Sequence, residues 1–344
     1  MYNICCMKVL RLRGRFQAAV IAGIGLLIVA ILLSLSLGAV QVPPLAAFQA
    51  LVSPEAADPL HSAVITSIRL PRTVVAILVG AALATVGVVM QAILRNPLAE
   101  PGITGVSAGG AVGAVASIAT GATANHQWGV PIAAFIGAAA VALVLQLVLT
   151  ARRDLGAASI ILVGVSLSAL SGALISVLIA NAREDALVRS ALFWLAGDLE
   201  LRGWQHVALA VGPILVGCFY LFTRSRALDA IALGEHIAST SGVNVPRERL
   251  VLLLVAALVT GAAVAVSGVI SFVGLVVPHI MRRVVGASHA RLLPVSALGG
   301  GVFLVFADTL ARTAFGGVVV QTGVVAALIG SPIFLALLLR KVGS

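Results

Sequence analysis

The chain alternates long apolar runs with short polar breaks. Stretches free of Asp, Glu, Lys and Arg cover 16–54, 73–94, 101–151, 155–182, 203–223, 250–281, 292–307 and 313–339. A helix needs about 20 apolar residues to cross a bilayer, so these runs are candidate membrane spans and the longest must hold two. We divide 101–151 at the segment from Gly121 to Pro131, where Asn125, His126 and Gln127 interrupt the apolar pattern. The run 250–281 divides at Ser267, Gly268 and Ser271, leaving a full helix and a short second one interrupted by Pro278. The first run follows Lys8, Arg11, Arg13 and Arg15, as a secretory leader would. Its length, Phe16 to Leu37, exceeds the roughly 7–15 residues of a leader's apolar region, so it reads as an uncleaved first span. The pattern predicts an all-α polytopic membrane protein of ten transmembrane helices, one domain over residues 1–344.

Ten crossings put both termini on one side, and basic residues favour the inside of a membrane. With the N-terminus inside, inner segments hold 16 of the 22 Lys and Arg residues. The outer segments keep Arg69, Arg72, Arg183, Arg189, Arg202 and Arg312. Both termini are therefore expected in the cytoplasm; nine helices would place Arg340 and Lys341 outside and weaken the bias.

Composition agrees with a membrane protein: 60% of residues are hydrophobic and 10% charged, with a mean hydropathy of +1.15. No polar stretch is long enough for a water-facing domain. A net charge of +10 would raise nucleic acid as a partner, but the basic residues sit in ones to fours without interleaved aromatics, so none is expected. Cys5, Cys6 and Cys218 have no metal-ligand spacing, and we assign neither a metal site nor a catalytic residue.

Asp308 and His279 are the ionisable residues expected within the spans. A proton-coupled carrier needs titratable groups along its path, and an intramembrane enzyme needs a catalytic pair at depth. Neither pattern is present. There is no GxxxxGK[ST] motif either, and Gly-Lys is absent, so a partner would have to bind nucleotide. Gly105, Gly109 and Gly113 recur at four-residue spacing on the third span, which suits close helix packing. Between Arg224 and Arg249, Ala227 to Ala238 is a short helix candidate, Gly242 breaks it and Pro246 restarts the chain. That segment suits a docking site for a soluble motor and equally an interfacial loop.

Several motifs in order resemble one family. Arg69-Leu-Pro-Arg72, Gly80-Ala-Ala-Leu, Met90-Gln91-Ala and Arg95-Asn-Pro-Leu-Ala-Glu-Pro-Gly102 are similar to the FecCD family of ABC importer permeases. So are Trp194-Leu-Ala-Gly197, Leu233-Gly-Glu235 with Ser241-Gly-Val-Asn-Val245, Phe272-Val-Gly-Leu-Val-Val-Pro-His279, Ala307-Asp-Thr-Leu-Ala-Arg312 and Ala327-Leu-Ile-Gly330. The resemblance implies a BtuC-like type II ABC importer permease: two ten-helix subunits around one pathway, two cytoplasmic ATPases carrying ATP and Mg, and an extracytoplasmic binding protein. It implies a bacterial cytoplasmic membrane and a ferric siderophore as cargo, with haem or cobalamin as alternatives. The second permease is either another copy or a similar paralogue, and the chain itself holds no cofactor.

By resemblance, 226–246 is the coupling-helix segment, with Leu233, Gly234, Glu235, Ser241, Gly242, Val243 and Asn244 at the ATPase. Arg69, Arg72 and Arg312 match arginines that receive acidic residues of the binding protein, where a rim guanidinium suits a carboxylate. Asn96 and Leu98, with Gly156, Ala157 and Ala158, match the cytoplasmic gate. Two departures stand out. Some family members carry small hydroxyl residues at the positions of Gly156 to Ala158, which puts polar gate chemistry in doubt here. Val319-Val320-Gln321-Thr322-Gly323 replaces the common Glu-Leu-Pro-Val-Gly, so no role of that glutamate carries over.

Overall fold

The computed structural model describes the chain apart from residues 1, 39, 54, 56, 122–127, 153–155, 183, 315–319 and 343–344, and apart from the side chains of 2–13, 338 and 340–342. The turn expected at Asn125, His126 and Gln127, residue Val319, Arg183, and the side chains of Cys5, Cys6, Lys8, Arg11, Arg13, Arg153, Arg340 and Lys341 lie outside the described residues.

Helices follow one another as α1 (Tyr2–Ser36), α2 (Pro44–Val52), α3 (Pro59–Ala63), α4 (Leu70–Ile93), α5 (Val106–Thr120), α6 (Gly129–Ala151), α7 (Ala157–Ala180) and α8 (Asp185–Leu195). Then come α9 (Trp204–Thr223), α10 (Ser225–Leu233), α11 (Glu235–Thr240), α12 (Val245–Ser267), α13 (Val273–Val285), α14 (His289–Thr313) and α15 (Thr322–Val342). A π-helical turn, Val64–Arg69, fuses α3 to α4, and a 3-10 turn, Pro101–Thr104, precedes α5. Among the described residues there are seven helices long and apolar enough to cross a membrane. Adding α5, α15 and the half-length α13 makes ten, in the order the apolar runs predict.

The second span is longer than its charge-free run. Asp58 accepts from the amides of Leu60 and His61, and Pro59 follows at the first position, so the helix starts there and continues to Ile93. Arg69 and Arg72 consequently lie inside a helix instead of at its start. The spans hold more ionisable residues than Asp308 and His279: Arg69, Arg249 and His289 are buried where helices extend past the charge-free runs, and His206 is buried within one.

Helices α4 and α12 form the centre, with 83% and 72% of their most apolar windows buried; the same windows of α1 and α7 are 17% buried, so those helices form the periphery. Close approach depends on glycine. A Cβ on Gly80 of α4 would overlap the Gly300 carbonyl of α14, and one on Gly87 would overlap the Gly274 carbonyl of α13. On α5, a Cβ at Gly109 would strike Val141 and the Gly137 carbonyl of α6, and one at Gly113 would strike the Ala133 carbonyl. Of the three glycines at four-residue spacing, Gly109 and Gly113 thus form a packing face against α6, whereas Gly105 precedes α5 with φ +79° and meets Gly164 and Leu167 of α7.

The division at Gly268 holds, but Pro278 does not interrupt the second half. Helix α13 runs through it from Val273 to Val285. Pro278 lacks the amide that would bond the Gly274 carbonyl, and Gln91 Nε2 of α4 donates to that oxygen at 3.3 Å. Irregular backbone before α13 is held similarly: the Phe272 amide donates to Glu100 Oε2 at 3.3 Å, while Phe272 itself has φ +68°.

Candidate functional site

Helices α10 and α11 make a bent pair. The expected single helix from Ala227 to Ala238 is divided at Gly234, whose φ of 134° and ψ of 151° a side chain tolerates poorly. Gly242, with φ +84°, ends α11 as expected. The Val243 amide reaches back to the Ala238 carbonyl and the Gly242 amide to the Ser239 carbonyl, the paired bonds of a Schellman stop. Neither glycine has an atom within 4 Å of a built Cβ, so both serve the backbone path, not close approach within the chain. Asn244 caps α12 by accepting from the Arg247 amide at 3.2 Å, and Ser241 Oγ donates to the Ile237 carbonyl at 2.7 Å. The pair buries Leu228, Ile231 and Ala238 while Leu233 is 70% and Ile237 47% exposed.

Ion pairs join this segment to the bundle. Arg224 binds Glu248 of α12, with Nε 3.1 Å from Oε2. Asp229 of α10 accepts from the backbone amide of His289 at 2.8 Å and lies 2.6 Å from its Nδ1, at the N-terminus of α14. Glu235 of α11 accepts from Arg249 of α12 and from Arg95 Nη2 at 3.0 Å. The hydrogen bond from Arg249, then the positive charges of Arg249 and Arg95, hold the Glu235 carboxyl below its ordinary value against the opposing effect of its burial.

Arg95 begins the loop that carries Asn96 and Leu98. The Arg95 amide bonds the Ala92 carbonyl at 3.3 Å and the Asn96 amide bonds the Gln91 carbonyl at 3.2 Å, ending α4 with Arg95 at φ +47°. Asn96 Oδ1 accepts from the Leu98 amide at 2.9 Å, and the Ala99 amide donates to the Asn96 carbonyl at 3.1 Å. Leu98 projects 44% exposed. Gly156 precedes α7, with Ala157 and Ala158 in its first turn. Gly164, two turns on, abuts the Ile103 carbonyl, so α7 passes beside the 3-10 turn that follows the Leu98 loop.

At the other end of the bundle, Asp308 of α14 is 1% exposed and gathers three partners. Arg72 grips it with Nη2 at 2.8 Å and Nε at 3.0 Å. Arg312 Nε lies 3.3 Å away, and Thr322 Oγ1 of α15 donates to it at 2.8 Å. Arg312 also donates to Ser34 Oγ at 2.9 Å. Arg69 donates to the Leu35 carbonyl in the last turn of α1 and to the Val40 carbonyl beyond it. The three arginines therefore converge, each with an internal acceptor. Nearby, Trp194, Asp198, Glu200, Arg202 and His206 line an open cavity of about 600 Å³ around α8.

Residues 26–340 match the FecCD transport family. The chain belongs to that family. It is 42% identical over 275 residues to the cobalamin import system permease protein BtuC of Halobacterium salinarum, covering 80% of this chain and 73% of that one. It is 38% identical over 339 residues to the hemin transport system permease protein HmuU of Yersinia pestis, covering 96% and 98%. A solved structure described as a metal-chelate type ABC transporter in an inward-facing conformation matches with a TM-score of 0.83 at 31% identity, covering 93% and 98%. This FecCD member is thus a multi-pass ABC importer permease with the expected fold.

Sequence reasoning did not find the carboxylate partners. Arg312, four residues after Asp308, is the one partner whose spacing could have been read from the sequence; nothing in the spacing joins Asp308 to Arg72, 236 positions away. Gln91 was visible as part of a motif, and its role follows once Pro278 is known to lie inside a helix.

Proposed function

We propose that this permease imports a ferric siderophore, with haem or cobalamin as cargo alternatives, through a pathway it forms with a second copy or a similar paralogue. The chain holds both termini in the cytoplasm of a bacterium, in the inner membrane. ATP, with Mg, is bound and hydrolysed on two separate subunits. They seat against Leu233, Gly234, Glu235, Ser241, Gly242, Val243 and Asn244. The observation that carries this reading is the bent α10–α11 pair, which leaves Leu233 and Ile237 exposed next to ionic side chains on a chain without a nucleotide motif. Exposed apolar side chains at a water-facing bend need a cover.

Asn96 and Leu98, with Gly156, Ala157 and Ala158, form the cytoplasmic gate, to which the last three contribute an apolar constriction of small side chains. At the outer face, Arg72 and Arg312 keep a solvent-facing edge, with side chains 12% and 15% exposed, and meet carboxylates of the binding protein. Arg69 is engaged with backbone carbonyls and shapes that rim.

The test is ATP hydrolysis by the permease in lipid nanodiscs with its ATPase and binding protein, offered ferric siderophores, haem and cobalamin in turn. Stimulation by one cargo class, lost when Leu233 and Ile237 are changed to Asp, supports the reading and selects the cargo. Turnover that follows an ion gradient with no ATPase bound would overturn it in favour of a secondary carrier.

A further inference from the structure

One carboxylate joins the candidate coupling helix to the candidate gate loop. Glu235, the first residue of α11, holds Arg249 of α12 and Arg95 at the end of α4. Arg95 stands where a helix stop ordinarily takes glycine, in the left-handed region at φ +47°. An L-residue is strained there, and its ion pair, between side chains 42% and 47% exposed, is too solvated to offset that strain. Stability therefore does not account for an arginine at this position. The side chain has a positional consequence instead: it fixes the first residue of the loop to α11.

The loop beyond Arg95 is rigid enough to follow. Asn96 is bonded back to Gln91, and its side chain and carbonyl take the amides of Leu98 and Ala99. Gln91 is braced in turn, accepting from Arg282 Nη2 at 3.1 Å and donating to the Gly274 carbonyl. The Leu98 loop and the end of α4 thus form one braced unit, so a pull on Arg95 reaches Leu98 as movement of that unit.

We propose that Arg95 and Glu235 are positioning residues that convey movement of α11 to the Leu98 loop, with Arg249 holding Glu235 in place. This inference rests on reading α10–α11 as the ATPase seat and Leu98 as the gate.

The experiment uses the full complex with its partner ATPase in nanodiscs, in a background of Cys5→Ser, Cys6→Ser and Cys218→Ala carrying Leu98→Cys. The rate of modification of that thiol by a maleimide is measured without nucleotide and with ATP plus vanadate, alongside retention of the ATPase and its hydrolysis rate. The parent is expected to show a several-fold change in rate between the two states. Arg95→Gly, which relieves the backbone while removing the side chain, should abolish that change with the ATPase retained and hydrolysis continuing. Glu235→Gln should abolish it too, and the double variant should behave like either single one. A nucleotide response preserved in Arg95→Gly, a double variant whose response differs from both singles, or an unresponsive parent overturns the proposal. If the parent chain binds no ATPase at all, the coupling reading itself fails.

Discussion

Asp308 is a buried charge whose neighbours are two guanidiniums and a hydroxyl. Removing one partner of such a cluster leaves charge uncompensated in a low-dielectric site, at a cost of about 3–5 kcal/mol. Asp308→Asn is therefore expected to lower the melting temperature in detergent sharply. Replacing Asp308 and Arg72 together by Leu and Met should cost less than Asp308→Asn alone, because the pair's desolvation is removed with its attraction. Equal melting temperatures for the parent and Asp308→Asn would refute this account. The same cluster limits how docking is tested: Arg72→Glu sets two carboxylates face to face, so Arg72→Gln, with the fold monitored, separates lost docking from lost structure. Glu235 supplies the pH dependence. Its carboxyl lies below the ordinary 4.5, so the tie to Arg249 and Arg95 is complete above that value and is lost only as pH falls through the lowered one. The mobility of a spin label at Leu98→Cys should accordingly be flat from neutral pH down to 4.5 and rise below it.

Helix contacts divide the glycines into two groups that substitution should distinguish. Gly80→Ala drives a methyl into the Gly300 carbonyl and forces α4 away from α14, an overpacking cost of about 1–3 kcal/mol. Gly212→Ala on α9 meets nothing within 4 Å and should leave the melting temperature unchanged or slightly raised. A fall with Gly212→Ala equal to that with Gly80→Ala would mean that helix propensity, not contact, sets the ranking. At this scale the sequence was most legible where a single rule acts locally. Hydropathy located the ten spans, four-residue spacing identified the α5 face against α6, and Gly242 marked a stop. It failed where a tertiary partner overrides the local rule. Pro278 reads as an interruption, yet Gln91 of another helix satisfies the carbonyl that proline frees. Gly234 was placed inside a helix because nothing in composition reveals its φ. Asp58-Pro59 does carry a helix-start signal, but the charges at Arg69 and Arg72 mask the continuity from there to the second span; only the burial of Asp308 beside Arg72 explains why charge is tolerated in that helix.

A single ten-helix subunit leaves broad apolar faces open, and lipid can cover most of them. What distinguishes one face is the proposed gate. The Leu98 loop and α7 lie on neighbouring elements, so a pathway closed there would run along this side of the subunit, and its opposite wall would come from another chain. Helix α7 has little burial within the subunit and presents Leu162, Val165, Leu170, Leu174 and Val177 outward. Helix α1 is equally unburied, with Ile21 71% exposed, but packs on α13 and α14, whereas α7 packs on α5 and on the 3-10 turn that follows the gate loop. Lipid-facing and partner-facing surfaces have the same hydropathy, so only position relative to the gate separates them. We expect a closed twofold arrangement with α7 toward the axis and α1 toward lipid. In the cysteine-free background, Val165→Cys should give dimers with a short bismaleimide in native membranes, and Ile21→Cys should not. Cross-linking at Ile21 but not at Val165 would place α1 on the axis and the pathway on the opposite side of the subunit. In that arrangement Leu98 and Gly156 to Ala158 would face lipid, and the gate would have to be sought elsewhere.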